Sequence, residues 1–302
     1  MHIGLVGLGK MGGSMRTRLR AAGIEVTGYA PDPATTDVDS LQALVGALPA
    51  PRTVWVMVPS GDITRQTVAA LGTLLQPGNL VVDGGNSRFT DDRVHAVALA
   101  DRGIAYLDCG VSGGIWGVTE GYGLMVGGSD EDVERVMPVF DALRPAGARE
   151  DGFSHAGPVG AGHYAKMVHN GIEYAIMQAL AEGYELLSAS DAVTDVPAVF
   201  AGWRRGTVVR SWLLDLMVVA LKDDPTLAKV SGYAEDSGEG RWTVMEGIAH
   251  AVPTPTIAAA LYARFVSRQQ DSPAMKAIAA LRNQFGGHAV RVAGVSEPTG
   301  PA

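Results

Sequence analysis

Short uninterrupted apolar runs alternate with segments of helical character along residues 1–157. HIGLVGL (2–8), EVTGYA (25–30), TVWVMV (53–58), NLVVDGG (79–85), AYLDCGV (105–111) and GYGLMVGG (121–128) read as strands. A strand covered on both faces is a continuous apolar run rather than an alternating one. Helix-length stretches separate these runs, so the pattern predicts a mostly parallel, doubly wound sheet. From about Gly157 the period becomes helical, and long helices are expected at 158–190, 196–222 and 254–284. The tail from residue 291 (VAGVSEPTGPA over 292–302) has Pro and Gly but no periodicity, and reads as disordered.

Between the first strand and the first helix lies Gly7-x-Gly9-x-x-Gly12. The first glycine permits a tight turn, the second lets a pyrophosphate approach the backbone, and the third lets helix pack on strand. The helix N-terminus then faces the anion. The expectation is an α/β Rossmann-type N-terminal domain (1–157) followed by an all-α C-terminal domain (158–290). The end of the second strand is unusual. An acid there holds the ribose of NAD, and a nearby Arg suits NADP. This chain has Tyr29-Ala30-Pro31-Asp32, leaving Asp32 as the substitute. Residues 40–48 read as the next helix, so residues 30–39 alone remain for a crossover helix and a further strand. A mean helix alone takes ~11 residues, so the adenosine side looks cut down.

The 158–190 helix carries Lys166, His169, Asn170, Glu173 and Tyr174 at spacings of three and four, which share one face. Such a stripe is ordinarily a solvated face. This one mixes Lys, His, Asn and Tyr, and it lies near the expected domain junction, where clefts form. Burial lowers a lysine's pKa and raises a carboxyl's, so Lys166 and Glu173 are candidates for a base and an acid.

Composition removes several function classes. Net charge is −8 and the Lys and Arg residues are scattered, which excludes a phosphate-backbone surface and hence nucleic acid. Cys109 is the single cysteine, so no intramolecular disulfide forms and a cytoplasmic setting is expected, with Cys109 as a packed thiol. No basic segment precedes an apolar one at the N-terminus, and no run reaches the ~20 apolar residues of a membrane helix, so neither leader nor membrane attachment is expected. His155 and His163 lack metal-type spacing and are given loop or cap roles, Asp83 and Asp108 are expected to cap the turns that follow them, and no metal is expected.

In order, GLGKMG, DGGNS (83–87), GVSGGIWG (110–117), GAGHYAKMVHNGIEY (160–174), GEGRWT (238–243) and LRNQFGGH (281–288) occur along the chain. Together they resemble the short form of decarboxylating 6-phosphogluconate dehydrogenase. The resemblance implies that Lys166 takes the proton of the substrate's 3-hydroxyl and later polarises the 3-ketone, and that Glu173 protonates C1 to give ribulose 5-phosphate. Asn86, Ser112, Gly113, Gly114, His169 and Asn170 would hold the carboxylate and hydroxyls, and Tyr174 and Arg264 the phosphate. Arg282 and His288 match residues that reach into a neighbouring subunit's site, which implies a homodimer. Cofactor contacts fall on Gly7, Gly9, Lys10, Met11, Gly12, Asp32, Val58, Pro59 and Asn86. The cofactor reading is NAD or NADP, with the deazaflavin coenzyme F-420 as an alternative that has no adenosine to bind. Ser237 stands where longer members of the family place a phosphate-binding lysine, and the role of Arg241 is left open. Two other readings remain: a β-hydroxyacid dehydrogenase of the 3-hydroxyisobutyrate type, and a non-catalytic metabolite sensor.

Overall fold

A computed structural model describes residues 1–291, so the expected tail from 292 lies outside the described residues. The N-terminal part runs β1 (His2–Val6), α1 (Lys10–Ala21), β2 (Glu25–Tyr29), α2 (Leu41–Ala47), β3 (Thr53–Val56), α3 (Asp62–Leu74), β4 (Leu80–Asp83), α4 (Phe89–Ala100), β5 (Ala105–Ser112), α5 (Gly117–Glu120), β6 (Gly123–Gly127), α6 (Asp130–Leu143) and β7 (Phe153–Gly157). The helices that follow are α7 (Ala161–Ser188), α8 (Val196–Trp203), α9 (Trp212–Asp223), α10 (Glu239–Ala249), α11 (Pro255–Ser267) and α12 (Pro273–Gly286).

The sheet order is β2-β1-β3-β4-β5-β6-β7. Every neighbouring pair is parallel except β5–β6. Core residues cover both faces: Met15, Leu19, Trp55 and Phe140 belong to one layer, and Leu44, Val68, Leu71 and Leu99 to the other. This two-sided cover is why the strands read as continuous apolar runs. The six expected strands form, and β7 is a seventh that the sequence pattern did not announce. It is short and mostly exposed, so no buried apolar run marks it.

The chain divides into two compact units, one made of residues 1–173 with 239–252 and the other of 174–238 with the chain from 253 on. Two expected helices are each broken into two. The 196–222 segment ends α8 at Trp203, passes through Gly206 at φ +76°, and restarts where the Ser211 hydroxyl accepts from Leu214 N–H. A left-handed glycine and a new cap outweigh the continuing apolar period. The 254–284 segment breaks between Ser267 and Pro273, whose missing N–H and fixed φ start α12 afresh. In the second unit Phe200, Leu214 and Leu221 form the buried centre, joined by Leu180, Tyr184 and Met217.

Candidate active site

The glycine turn has the geometry that phosphate binding requires. Gly7 sits at φ +94°, and a Cβ there would lie 2.3 Å from Met57 O. A Cβ on Gly12 would lie 1.9 Å from Gly7 O, so any side chain would push α1 off the sheet. Gly9, the N-cap of α1, faces open space, with no atom within 4 Å of a built Cβ, and the first turn of α1 carries no acid. Backbone and helix dipole therefore meet an approaching anion without side-chain interference. Lys10 is exposed, Met11 packs against the core, and Val58 and Pro59 follow β3.

The edge beyond β2 is closed by its own loop. Asp37 N–H donates to Gly28 O, and the Asp37 carboxylate accepts from Gly28 N–H at 2.8 Å and from Arg20 at 2.6 Å. Arg16 lies 3.4 Å from the same carboxylate. Asp32 is exposed and its Oδ1 accepts from Ala34 N–H at 2.9 Å, which spends it on a turn. Residues 30–39 thus form a strap along the edge strand, and α2 starts directly after it with Ser40 as cap.

α7 is pressed tightly onto β5 and β6. A Cβ on Gly110 of β5 would lie 2.3 Å from Lys166 Cβ, and one on Gly162 would lie 2.4 Å from Met125 O. Glycine at both positions brings the helix into backbone contact with the sheet and sinks the root of Lys166, which is 7% exposed. The helix start is fixed by Asp108, whose carboxylate accepts from Gly160 N–H at 2.6 Å and His163 N–H at 2.8 Å. Asp108 is therefore the N-terminal cap of α7, not of the turn next to it in sequence, because β5 runs on through Asp108 directly beneath the incoming helix.

The polar stripe forms as its spacing predicts. Lys166 Nζ donates to Asn170 Oδ1 at 2.5 Å, and His169 Nδ1 lies 3.0 Å from the same oxygen. His169 Nε2 is 3.5 Å from Ser112 Oγ, and its Nδ1 is 3.9 Å from Glu173. Ser112 ends β5; Gly113 and Gly114 follow at φ +133° and +53°, backbone that favours glycine. Burial pushes the Lys166 ammonium below its usual range, against the pull of Glu239 and Glu173. Asn86 is half-buried in the turn after β4, which is shaped by Asp83 accepting from Gly85 N–H at 2.9 Å and Ser87 Oγ at 2.7 Å.

Beneath this face lies a buried charge pair. His163 Nδ1 is 2.8 Å from Asp92, and its Nε2 is 3.1 Å from Gly85 O. Burial opposes charging the imidazole, but the Asp92 carboxylate outweighs it and pushes the His163 pKa up to about 10. His163 is thus a structural cation locking the Asn86 turn, and this corrects the loop-or-cap role expected for it. Asp92, Asp108 and His163 lie close enough to gather round a metal ion, as do Asp83, Asp92 and His95. In the structure their lone pairs face N–H and O–H donors, including Tyr106 Oη on Asp92 at 2.9 Å.

Two groups went unrecognised in the sequence. One is the Asp92–His163 pair. The other is Glu239, the first residue of α10, whose carboxylate lies 3.9 Å from Lys166 Nζ. α10 crosses α7 where Thr243 Oγ1 donates to Met167 O at 2.8 Å, against the open side of Gly171. A charged residue inside the apolar run AYLDCGV was the available signal for Asp108. Glu239 lay within a quoted motif, but nothing local ties it to Lys166.

In the second unit Tyr174 Oη accepts from Ser237 N–H at 3.0 Å and lies 3.3 Å from Ser237 Oγ. Arg264 of α11 stacks 3.5 Å above the Tyr174 ring. Arg282 is exposed on α12, and His288 is exposed just past its end, where its backbone O accepts from Asn283.

Residues 2–146 match the NAD binding domain of 6-phosphogluconate dehydrogenase, and residues 162–294 match its C-terminal domain. The NAD(+)-dependent, decarboxylating 6-phosphogluconate dehydrogenase of Haloferax volcanii is 40% identical over 96% of this chain and 98% of its own. A putative 6-phosphogluconate dehydrogenase of Bacillus subtilis is 39% identical over 96% and 99%. The Plasmodium falciparum 6-phosphogluconate dehydrogenase structure superposes with a TM-score of 0.80 at 25% identity, covering 98% of this chain and 67% of that one. A 3-hydroxyisobutyrate dehydrogenase of Salmonella typhimurium shares the fold, with a TM-score of 0.71 at 21% identity over 87% of this chain and 92% of that one.

Proposed function

The chain belongs to the 6-phosphogluconate dehydrogenase family, and we propose that it oxidises and decarboxylates 6-phosphogluconate to ribulose 5-phosphate and carbon dioxide with a nicotinamide dinucleotide as hydride acceptor. The observation that carries this reading is Lys166, buried, below its usual pKa and held by Asn170 at 2.5 Å. Burial of this kind favours the free amine, the form that acts as a base. It takes the proton of the 3-hydroxyl as hydride leaves C3. The 3-keto acid then loses carbon dioxide because its electrons flow into the ketone, which the Lys166 ammonium polarises. Glu173, half-buried two turns further along from Lys166, protonates C1. Asn86, Ser112, Gly113, Gly114, His169 and Asn170 hold the carboxylate and hydroxyls, and Tyr174 and Arg264 hold the phosphate.

The dinucleotide fits the open Gly9 corner and supplies the hydride-accepting ring. Gly7, Gly9, Lys10, Met11 and Gly12 hold its pyrophosphate, with Val58, Pro59 and Asn86 beside them. A second reading of the acceptor rests on the strap over β2. Asp32 and Asp37, the acids nearest the ribose position, are spent on the loop itself. A deazaflavin such as F-420 carries a phosphate for the glycine turn and needs no adenosine pocket. Homodimerisation is supported by α12, which buries no residue and exposes Met275, Ile278, Leu281 and Phe285. Arg282 and His288 belong to the same segment and would complete the partner's site. Among the described residues no helix is long and apolar enough to cross a membrane. The lone buried thiol of Cys109 fits a cytoplasmic setting.

The purified protein is to be mixed with 6-phosphogluconate and offered NAD, NADP and F-420 separately, with reduction followed by absorbance and carbon dioxide by release. Equimolar reduction and decarboxylation with a nicotinamide acceptor is expected. Reduction of the deazaflavin alone moves the acceptor to the second reading, and neither reduction nor carbon dioxide with any acceptor overturns the activity.

A further inference from the structure

Glu239 is the buried carboxyl beside Lys166 that the mechanism above leaves unused. Its side chain is 2% exposed, and among the described residues its Oε2 accepts no hydrogen bond. A carboxylate oxygen sealed from water without a donor is costly unless a proton or a cation serves it. The Lys166 ammonium lies 3.9 Å away and is itself only 9% exposed. Lys166 must be a free amine before it can act as a base, and with its side chain only 9% exposed little water reaches it to take the proton. It needs an acceptor inside the site.

We propose that Glu239 is a positioning residue for proton transfer, forming with Lys166 a sealed pair in which the ammonium passes its proton to the carboxylate and so becomes the working base. This rests on the activity proposed above and deepens it. In the transfer one Lys166 N–H bond breaks and one Glu239 O–H bond forms, and the pair keeps the same net charge. The amine then takes the 3-hydroxyl proton. Conversion of the sugar acid to product with a nicotinamide acceptor releases no net proton, because the carboxylate leaves as carbon dioxide and a proton takes its place on C1. Glu173 regains, from Lys166, the proton it gave to C1; Lys166 is then a free amine again, and Glu239 returns its proton to it, so the cycle closes without exchange with solvent.

The surroundings suit this role. Burial pushes the Glu239 carboxyl up to about 7, against the opposing pull of Lys166 and His163, with Glu173 adding to the rise. Burial lowers the Lys166 ammonium while Glu239 and Glu173 raise it. Two groups pushed toward each other from opposite ends of the scale share a proton readily, and they titrate as a pair. α10 is held in place by Thr243, so Glu239 is delivered to Lys166 by a fixed crossing of two helices.

The test reads Lys166 directly. The intact protein, without substrate, is labelled with acetic anhydride across pH, and the Lys166 peptide is quantified by mass spectrometry. Removing an opposite charge at this distance lowers a lysine's pKa, so Glu239→Gln is expected to shift Lys166 down by about one pH unit or more, with Glu239→Asp shifting it less. An unchanged Lys166 titration in Glu239→Gln overturns the proposal. Should the Gln variant fail to fold, the wild-type profile still decides: two steps are expected, the lower from Glu239, and a single step overturns it. In turnover, Glu239→Gln is expected to move the acid limb of the pH profile to lower pH in step with the Lys166 titration, with the KM for 6-phosphogluconate little changed. A wild-type profile in that variant also overturns it. Failure of the proposed activity is separately visible, as absent turnover by the wild type, and leaves the labelling result standing.

Discussion

The two ends of the first unit handle charge in opposite ways. At the β2 edge, Asp37 pairs with Arg16 and Arg20 through side chains that are 32%, 18% and 46% exposed. Under α7, Asp92 pairs with His163 at exposures of 0% and 1%. Water screens the first group and competes with it, so each of its contacts is weak and replaceable. Nothing competes at the second, where losing one charge strands the other. A cofactor pocket built at the first kind of place can be trimmed or re-targeted by loop changes. A reaction centre built over the second kind cannot, and here the polar face of α7 lies by the buried pair while residues 30–39 along β2 form only a strap.

The largest expected contrast is catalytic. Lys166→Met fills the same buried space without a base and is expected to lower kcat/KM by about a thousandfold or more, with an unchanged circular dichroism spectrum. Near-normal turnover would remove Lys166 from the chemistry. Next comes Asp92→Asn, which leaves a buried imidazole without its counter-charge and is expected to cost about 3–5 kcal/mol in denaturant unfolding. The pH dependence follows from the sign of the shift. The folded pKa of His163 is raised from 6.5 to about 10, so the imidazole's own contribution is full below the unfolded value and is lost as pH rises through the folded one. The fall of stability between these limits is expected to be smaller in His163→Gln than in the wild type; equal slopes would show that the imidazole does not carry the charge.

Gly12→Ala sharpens the comparison from the packing side. Its Cβ would meet Gly7 O at 1.9 Å, so a loss of about 1–3 kcal/mol is expected, together with weaker cofactor binding. The smallest effect is expected at the strap. Asp37→Asn keeps an acceptor for Gly28 N–H and gives up only exposed ion pairs, so it should cost less than about 1 kcal/mol and become silent at high salt. A cost equal to that of Asp92→Asn would erase the distinction between the two ends.

What could be read along the chain was whatever depends on near neighbours. The Gly7-x-Gly9-x-x-Gly12 turn, the helix over 40–48 and the Lys166–Asn170 face are set by the geometry of one turn or one helix, so spacing announces them. The unbroken apolar strands announced a sheet covered on both sides. Helix ends were less legible: the apolar period runs on through Gly206 and up to Pro273, although the backbone changes direction at both. The short strand β7 left no buried run to notice.

The remainder was decided by folding. Asp92 on α4 meets His163 on α7 across 71 residues of chain, Asp108 on β5 caps that helix across 55, and Glu239 on α10 comes to Lys166 only because Thr243 anchors the crossing. No local period encodes such meetings. Each follows from a backbone approach permitted by glycines 110, 162 and 171, and the ionisation states of His163, Lys166 and Glu239 follow in turn from the burial which that approach creates. The chain's own pattern names the groups that do chemistry; the exclusion of water, a property of the packed molecule alone, gives them the charges with which to do it.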